Sequence, residues 1–153
     1  MLPIPPTNRL SPKNQVTLPR DAAGLAGIEH VRALASWMPA QDSAGKPSPV
    51  VLLMSEPELR RRERRIIEAA DVKPERKQVL VQQLNAGAAS LSIDEQRRIV
   101  LPAHQVEYLA LQRDVLFVTT GDLVYVWNPD EFQRWSSAAA PADEPDLSRF
   151  ILV

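Results

Sequence analysis

None of the 153 residues is cysteine. That excludes disulfide bridges, thiol nucleophiles and thiolate metal sites, and it suits a reducing cytosol. Histidine is scarce as well: His30 and His104 stand apart, with no HxxE-type pairing, and make no recognisable metal site. No apolar run approaches the ~20 residues that span a bilayer as a helix. The opening MLPIPPTNRL carries three prolines where a signal peptide has its apolar segment. There is no G-x-S-x-G, no P-loop and no dinucleotide fingerprint. These absences predict an intracellular protein without membrane attachment, cofactor, metal or small-molecule substrate, and give no reason to expect an enzyme.

Charge is also missing in sum but not in distribution. The net charge is −1, so the chain is no generic polyanion binder. Residues 1–77 hold 13 Lys and Arg against 9 Asp and Glu, a surplus of +4, whereas residues 78–153 hold 5 against 10, or −5. Such asymmetry fits a basic partner face or head-to-tail association of subunits.

What the chain does contain is one element twice. LSPKNQVTLP (Leu10–Pro19) and LSIDEQRRIVLP (Leu91–Pro102) align on Pro19 and Pro102, at an offset of 83. LAGI (25–28) then falls on YLAL (108–111) at the same offset, each closing a short helical segment. Further on, VVLLMSEPEL (50–59) matches LVYVWNPDEF (123–132) at an offset of 73. The first copy therefore has about ten extra residues within PAQDSAGKPSP (39–49), whose composition predicts an exposed loop. DVLFVTTGDLVYVW reads as a hairpin turning at Thr-Gly-Asp. Each copy ends in a helix with a start signal, Ser55 with Glu58 in one and Asn128-Pro129 with Glu131 in the other. One such copy is too small and too β-rich to bury its strands, but two can share a core. Between them, residues 60–88 carry apolar stripes (Ile66, Ile67, Ala70; Val79, Leu80, Leu84) for two helices broken at Lys73-Pro74, with Gly87 as a stop.

The second half, SIDEQRRIVLPAHQVEYLALQRDVLFVTTGDLVYVWNPDEFQRW, resembles the C-terminal half of the MraZ family, regulators of bacterial division and cell-wall genes. That family has two AbrB-like swapped-hairpin repeats, each opening with Asp-x-x-x-Arg ahead of a strand ending in proline. Asp94 and Arg98 fill this motif. In the first copy Ser11 and Gln15 stand in for it, and the glycine usually found before the arginine is Asn14 in one copy and Arg97 in the other. The resemblance covers about residues 8–135. It implies an α+β fold in which tandem swapped-hairpin repeats form a pseudo-two-fold β-barrel core with flanking helices. The expected division is a proline-rich leader (1–8), a first repeat (9–59), a helical middle (60–88), a second repeat (89–135) and an acidic tail with an apolar end (136–153). The resemblance further implies a ring-shaped homo-oligomer on repeated sites in promoter DNA, in the cytoplasm at the nucleoid.

Arginine's planar fork suits both phosphates and the O6/N7 edge of guanine, and an acid four residues earlier can hold the fork or pin the loop's donors. On this reading Arg97 and Arg98 approach DNA from one loop, although strand alternation points them to opposite faces. Lys13, Gln15, Arg9 and Arg20 serve the other, with Asp94 and Ser11 in support. The competing reading is a salt bridge between Asp94 and Arg98 that only closes the loop. The run Arg60-Arg61-Arg62-Glu63-Arg64-Arg65 reads first as a solvated helix surface, with Arg64 and Glu68 placed to pair. Trp127, ending an apolar strand, reads as core; Trp37 and Trp135 could stack on bases. The tail's Phe150-Ile151-Leu152-Val153 is expected to dock on its own domain or a neighbour. Two other functions stay open: a scaffold that has kept the ring and lost DNA, and the antitoxin of a toxin pair.

Overall fold

The computed structural model describes residues 3, 5–41, 45–138 and 147–151. Residues 42–44 of the expected loop, Met1, Leu2 and Ile4 of the leader, and 139–146 with Leu152 and Val153 of the tail lie outside that set.

The fold is α+β, as expected. The strands are β1 (Asn8–Arg9), β2 (Gln15–Thr17), β3 (His30–Met38), β4 (Ser48–Met54), β5 (Ala88–Ser92), β6 (Arg98–Val100), β7 (Asp114–Thr120) and β8 (Leu123–Trp127). The helices are α1 (Glu56–Glu68), α2 (Pro74–Gly87), α3 (Ala103–Tyr108), α4 (Pro129–Ser137) and the short α5 (Ser148–Ile151). Six strands form a curled antiparallel half-barrel in the order β1-β7-β8-β4-β3-β5, and β2 and β6 make a separate ribbon.

That strand order reads the same from either end once the copies are matched. β4 lies beside β8, β3 answers β7, and β5 answers β1. Leu52 pairs with Tyr125 and Val16 with Ile99; the separations, 125 − 52 = 73 and 99 − 16 = 83, are the two offsets of the repeat. A pseudo-two-fold axis therefore passes through both pairs. The opening strand of each copy is exchanged: β1 pairs with β7 of the second copy, and β5 pairs with β3 of the first.

Alternation along the strands puts Val16, Val31, Ala33, Val51, Leu53, Ile99, Val115, Val124 and Val126 into one buried cluster, joined by Leu18 and Leu101. Each large apolar side chain buried there contributes about 1.5–3 kcal/mol before conformational entropy is set against it. Trp127 is buried as expected, with its ring 5.2 Å from Phe132 and 5.1 Å from Trp135. Trp135 donates from Nε1 to the Pro39 carbonyl, whereas Trp37 is 63% exposed.

The helix starts follow the sequence signals. Ser55 Oγ accepts from the Glu58 N–H at 3.3 Å, and Asn128 Oδ1 accepts from the N–H groups of Asp130 and Glu131. Glu58 itself is buried and faces Arg61 and Arg62, at 2.5 and 3.6 Å. Arg60 is tied to Glu56, Glu63 and Asn85. The expected Arg64–Glu68 pair does not form; neither Arg64 nor Arg65 has an ion-pair partner among the described residues. Arg32, inside the apolar strand β3, donates to the Ala88 carbonyl and to Glu56, joining the sheet to both helices.

The short helical segments differ between copies: a 3-10 turn (Ala23–Leu25) in the first, α3 in the second. Both end in a left-handed residue at matched positions, Gly27 (φ 74°) and Ala110 (φ 53°). Ala110 bears a strain that glycine does not. Gly24 is constrained by contact: a Cβ there would lie 2.7 Å from the Asp122 Cα in the β7–β8 turn. In urea unfolding, Ala110→Gly is expected to raise stability by about 0.5–1 kcal/mol, and Gly24→Ala to lower it by about 1–3 kcal/mol.

Candidate nucleic-acid interface

The two loops ahead of β2 and β6 have one backbone design. Ser11 Oγ accepts from the N–H groups of Lys13 (3.2 Å) and Gln15 (3.0 Å); Asp94 Oδ1 accepts from Gln96 (2.9 Å) and Arg98 (2.8 Å). In the first loop Ser11 N–H donates to the Gln15 carbonyl and Asn14 N–H to Ser11. In the second, Asp94 N–H donates to Arg98 and Arg97 N–H to Asp94. Asn14 and Arg97 are both left-handed, at φ 64° and 63°. This conformation favours glycine and tolerates asparagine, which explains the family's glycine at that place. For Arg97 it costs on the order of 1 kcal/mol.

The side chains differ while the backbone repeats. Offset by 83, Ser11 answers Asp94, Lys13 answers Gln96, Asn14 answers Arg97 and Gln15 answers Arg98. Because Val16 and Ile99 point into the core, the other residues of the β2–β6 ribbon point outward: Gln15, Thr17, Arg98 and Val100 share its outer face. Thr17 stands directly opposite Arg98 and Gln15 opposite Val100. Sequence reasoning missed Thr17 and Val100, although alternation about Val16 and Ile99 was the signal for both. Val100 is 52% exposed, unusual for an aliphatic residue in a short strand.

Arg98 donates from Nε to Asp94 Oδ2 at 2.8 Å. Its two terminal amino groups have no partner among the described residues, and its side chain is 40% exposed. The salt bridge and the contact reading are thus compatible: the carboxylate holds one edge of the guanidinium and leaves the other edge outward. Arg97 behaves differently. Its Nη2 donates to the carbonyls of Leu18 and Pro19, so the guanidinium clamps the exit of β2. Of the two adjacent arginines, it is Arg98 that faces out. Arg9, Lys13 and Arg20 are exposed in the first half, Arg20 with Asp21 next to it in sequence. His30 and His104 are exposed, and no group of three potential metal ligands occurs among the described residues. No helix among them is long and apolar enough to cross a membrane.

The family described as "MraZ protein, putative antitoxin-like" matches residues 84–150. A protein of Chromobacterium violaceum named "Transcriptional regulator MraZ" is 32% identical over 102 residues, covering 66% of this chain and 68% of its own length. The chain belongs to the MraZ family. A protein of the same name from Heliobacterium modesticaldum is 33% identical over 66 residues, 43% of this chain and 46% of its own length. Another, from Caldanaerobacter subterraneus, is 30% identical over 53 residues, 37% of its length. This chain thus matches less than half of those two MraZ relatives.

The electrostatics of the second loop yield a direct test. The backbone N–H of Arg98 holds the Asp94 carboxyl below its ordinary pKa against the opposing effect of desolvation, helped by the Arg98 guanidinium and the Gln96 N–H. Because the folded-state pKa is lowered, the loop's stabilisation is present above the unfolded aspartate value and is lost as pH falls through the folded one. In an NMR titration the amides of Gln96 and Arg98 are expected to shift together, with a midpoint below the usual aspartate range. The amides of Lys13 and Gln15, bonded to a hydroxyl, are expected to show no such transition.

Proposed function

We propose that this chain is a DNA-binding transcriptional regulator that works as a cytoplasmic, nucleoid-associated homo-oligomer on repeated promoter sites. The unit that acts is the pair of repeats, residues 9–59 and 89–135, joined by the helical middle 60–88. The observation that carries this reading is the doubled loop: two identically built turns flank one ribbon whose outer face bears Gln15 and Arg98 at matched positions. Its support from relatedness is that the relatives bear the name "Transcriptional regulator MraZ".

In this proposal Arg98, oriented by Asp94, takes a phosphate or the O6/N7 edge of guanine. Gln15 offers the amide that pairs with adenine N6/N7. Lys13, Arg9 and Arg20 supply charge toward phosphates from the first half. Arg97 supports the site through the β2 exit and makes no base contact. With Gln15 uncharged, counterion release is small for each chain, so several linked chains on repeated sites are needed for useful avidity.

A second reading, a scaffold that has lost DNA binding, draws on one observation: Ser11 maintains the first loop's backbone without any charge. The two separate in a fluorescence anisotropy salt series on the chain's own upstream DNA. The regulator reading expects a sequence-preferring complex with a log–log slope of several units. Arg98→Ala is expected to weaken it by roughly 5- to 150-fold, the ~1–3 kcal/mol of a good base contact, with oligomer mass unchanged. Gln15→Arg is expected to tighten it and steepen the slope by about one unit. A folded oligomer that binds no DNA at low salt overturns the regulator reading in favour of the scaffold.

A further inference from the structure

The β2–β6 ribbon does not need Val100 for its core. Val16 and Ile99 fill the inward positions, whereas Val100 stands on the outer face, 52% exposed. Alternation leaves four outward positions on the two strands: Gln15, Thr17, Arg98 and Val100. The repeat matches them as Gln15 with Arg98 and Thr17 with Val100, each at the offset of 83. Strand register groups them otherwise: Gln15 lies directly opposite Val100, and Thr17 directly opposite Arg98. One end of the ribbon therefore joins an amide to an aliphatic side chain. The other joins a guanidinium, braced by Asp94, to a hydroxyl.

The uncharged end has a counterpart on DNA. The major groove admits a two-stranded β-ribbon, and there an A·T pair presents adenine N6 and N7 beside the thymine O4 and 5-methyl group. Side chains directly opposite each other on antiparallel strands have Cβ atoms about 4.5–5.5 Å apart, close enough for both to meet one base pair. The Gln15 amide can donate to N7 and accept from N6. Valine has neither donor nor acceptor, so it gains in the groove only where it buries another apolar group. The thymine methyl is the one such group that the base edges offer there.

We infer, on the DNA-binding reading proposed above, that Val100 is a specificity-determining residue: it packs on the thymine methyl of the A·T pair whose adenine Gln15 holds. Arg98 then acts about two base-pair steps away, because two strand residues rise roughly 7 Å and successive base pairs stand about 3.4 Å apart. The preferred site is consequently directional. A ribbon with matched ends would read both ends alike. This one places a methyl-reading pair at one end and a charged pair at the other, so each chain sits on its site in a single orientation.

The test uses the full chain and a library of random duplexes. Enriched duplexes are resynthesised with deoxyuridine for each thymine in turn, which removes the 5-methyl group and keeps every hydrogen bond. Fluorescence anisotropy is expected to show a position where deoxyuridine weakens binding about fourfold, the worth of one buried methyl group. Val100→Ser is expected to bind the thymine and deoxyuridine duplexes equally, with its oligomer mass by light scattering unchanged. Deoxyuridine without effect at every position overturns the assignment and leaves the regulator reading in place; that measurement needs no variant. A thymine preference that persists in Val100→Ser overturns it in the same way. Loss of oligomer mass in Val100→Ser places the residue between subunits and also overturns it. If the folded full chain enriches no duplex, the regulator reading itself falls, and this inference with it.

Discussion

Two backbone hydrogen bonds hold the molecule in register: Leu18 N–H to the Arg97 carbonyl and Leu101 N–H to the Asn14 carbonyl, each 2.8 Å. They are images of each other across the pseudo-two-fold axis, and they flank the Val16–Ile99 pair. A slip of one residue would turn Val16 and Ile99 to solvent and Gln15 and Arg98 toward the core. The exchange also decides where folding can happen. β1 has its partner in the second copy and β5 in the first, so neither copy completes its sheet alone. The two loops flank one ribbon because β2 of the first copy pairs with β6 of the second.

The loops also separate what the fold needs from what a ligand needs. The turn requires an oxygen acceptor at position 11 or 94, which hydroxyl and carboxylate supply equally well, and a residue that accepts positive φ at 14 or 97. Nothing in the backbone design depends on the side chain at 15 or 98. The first loop has therefore lost its charged pair and kept its shape. In the second, Asp94 serves two ends at once, with one oxygen for the turn and the other for the Arg98 guanidinium. Arg97 meets the cost of its left-handed backbone by donating across the axis to β2.

Much of this was legible in the chain itself. The offsets of 83 and 73 were readable before any strand was drawn, because a duplicated sequence carries its symmetry with it; which equivalent pairs meet on the axis came only with the strand register. Helix starts at Ser55 and Asn128, the break before Pro74 and the burial of Trp127 followed from local rules. The partners of Arg97 did not. Leu18 and Pro19 lie 79 and 78 residues away, and a local pattern says nothing about distant carbonyls. The Arg64–Glu68 pairing failed for the opposite reason: spacing permits an exposed pair on a helix, but side-chain entropy and solvation leave it worth too little to fix. Arg32 was the missed clue. A lone arginine in an apolar strand has to find acceptors, and it found them in Ala88 and Glu56.

The helical middle is fastened differently from the rest. The half-barrel is held by interdigitating aliphatic side chains, whereas α1 is tied to the sheet through Arg32–Glu56 and to α2 through Asn85, which bonds Arg60 and Glu63, with Leu59 and Leu84 as the main apolar anchors against the sheet. Arg32 draws the Glu56 carboxyl below its ordinary pKa, a sign of how directly the sheet grips this lobe. Polar fastening of this kind positions two helices without covering them. It leaves Ile67 and Val79 exposed to water. The half-barrel carries its two loops on a buried aliphatic core, and the helical lobe stays open on its apolar side.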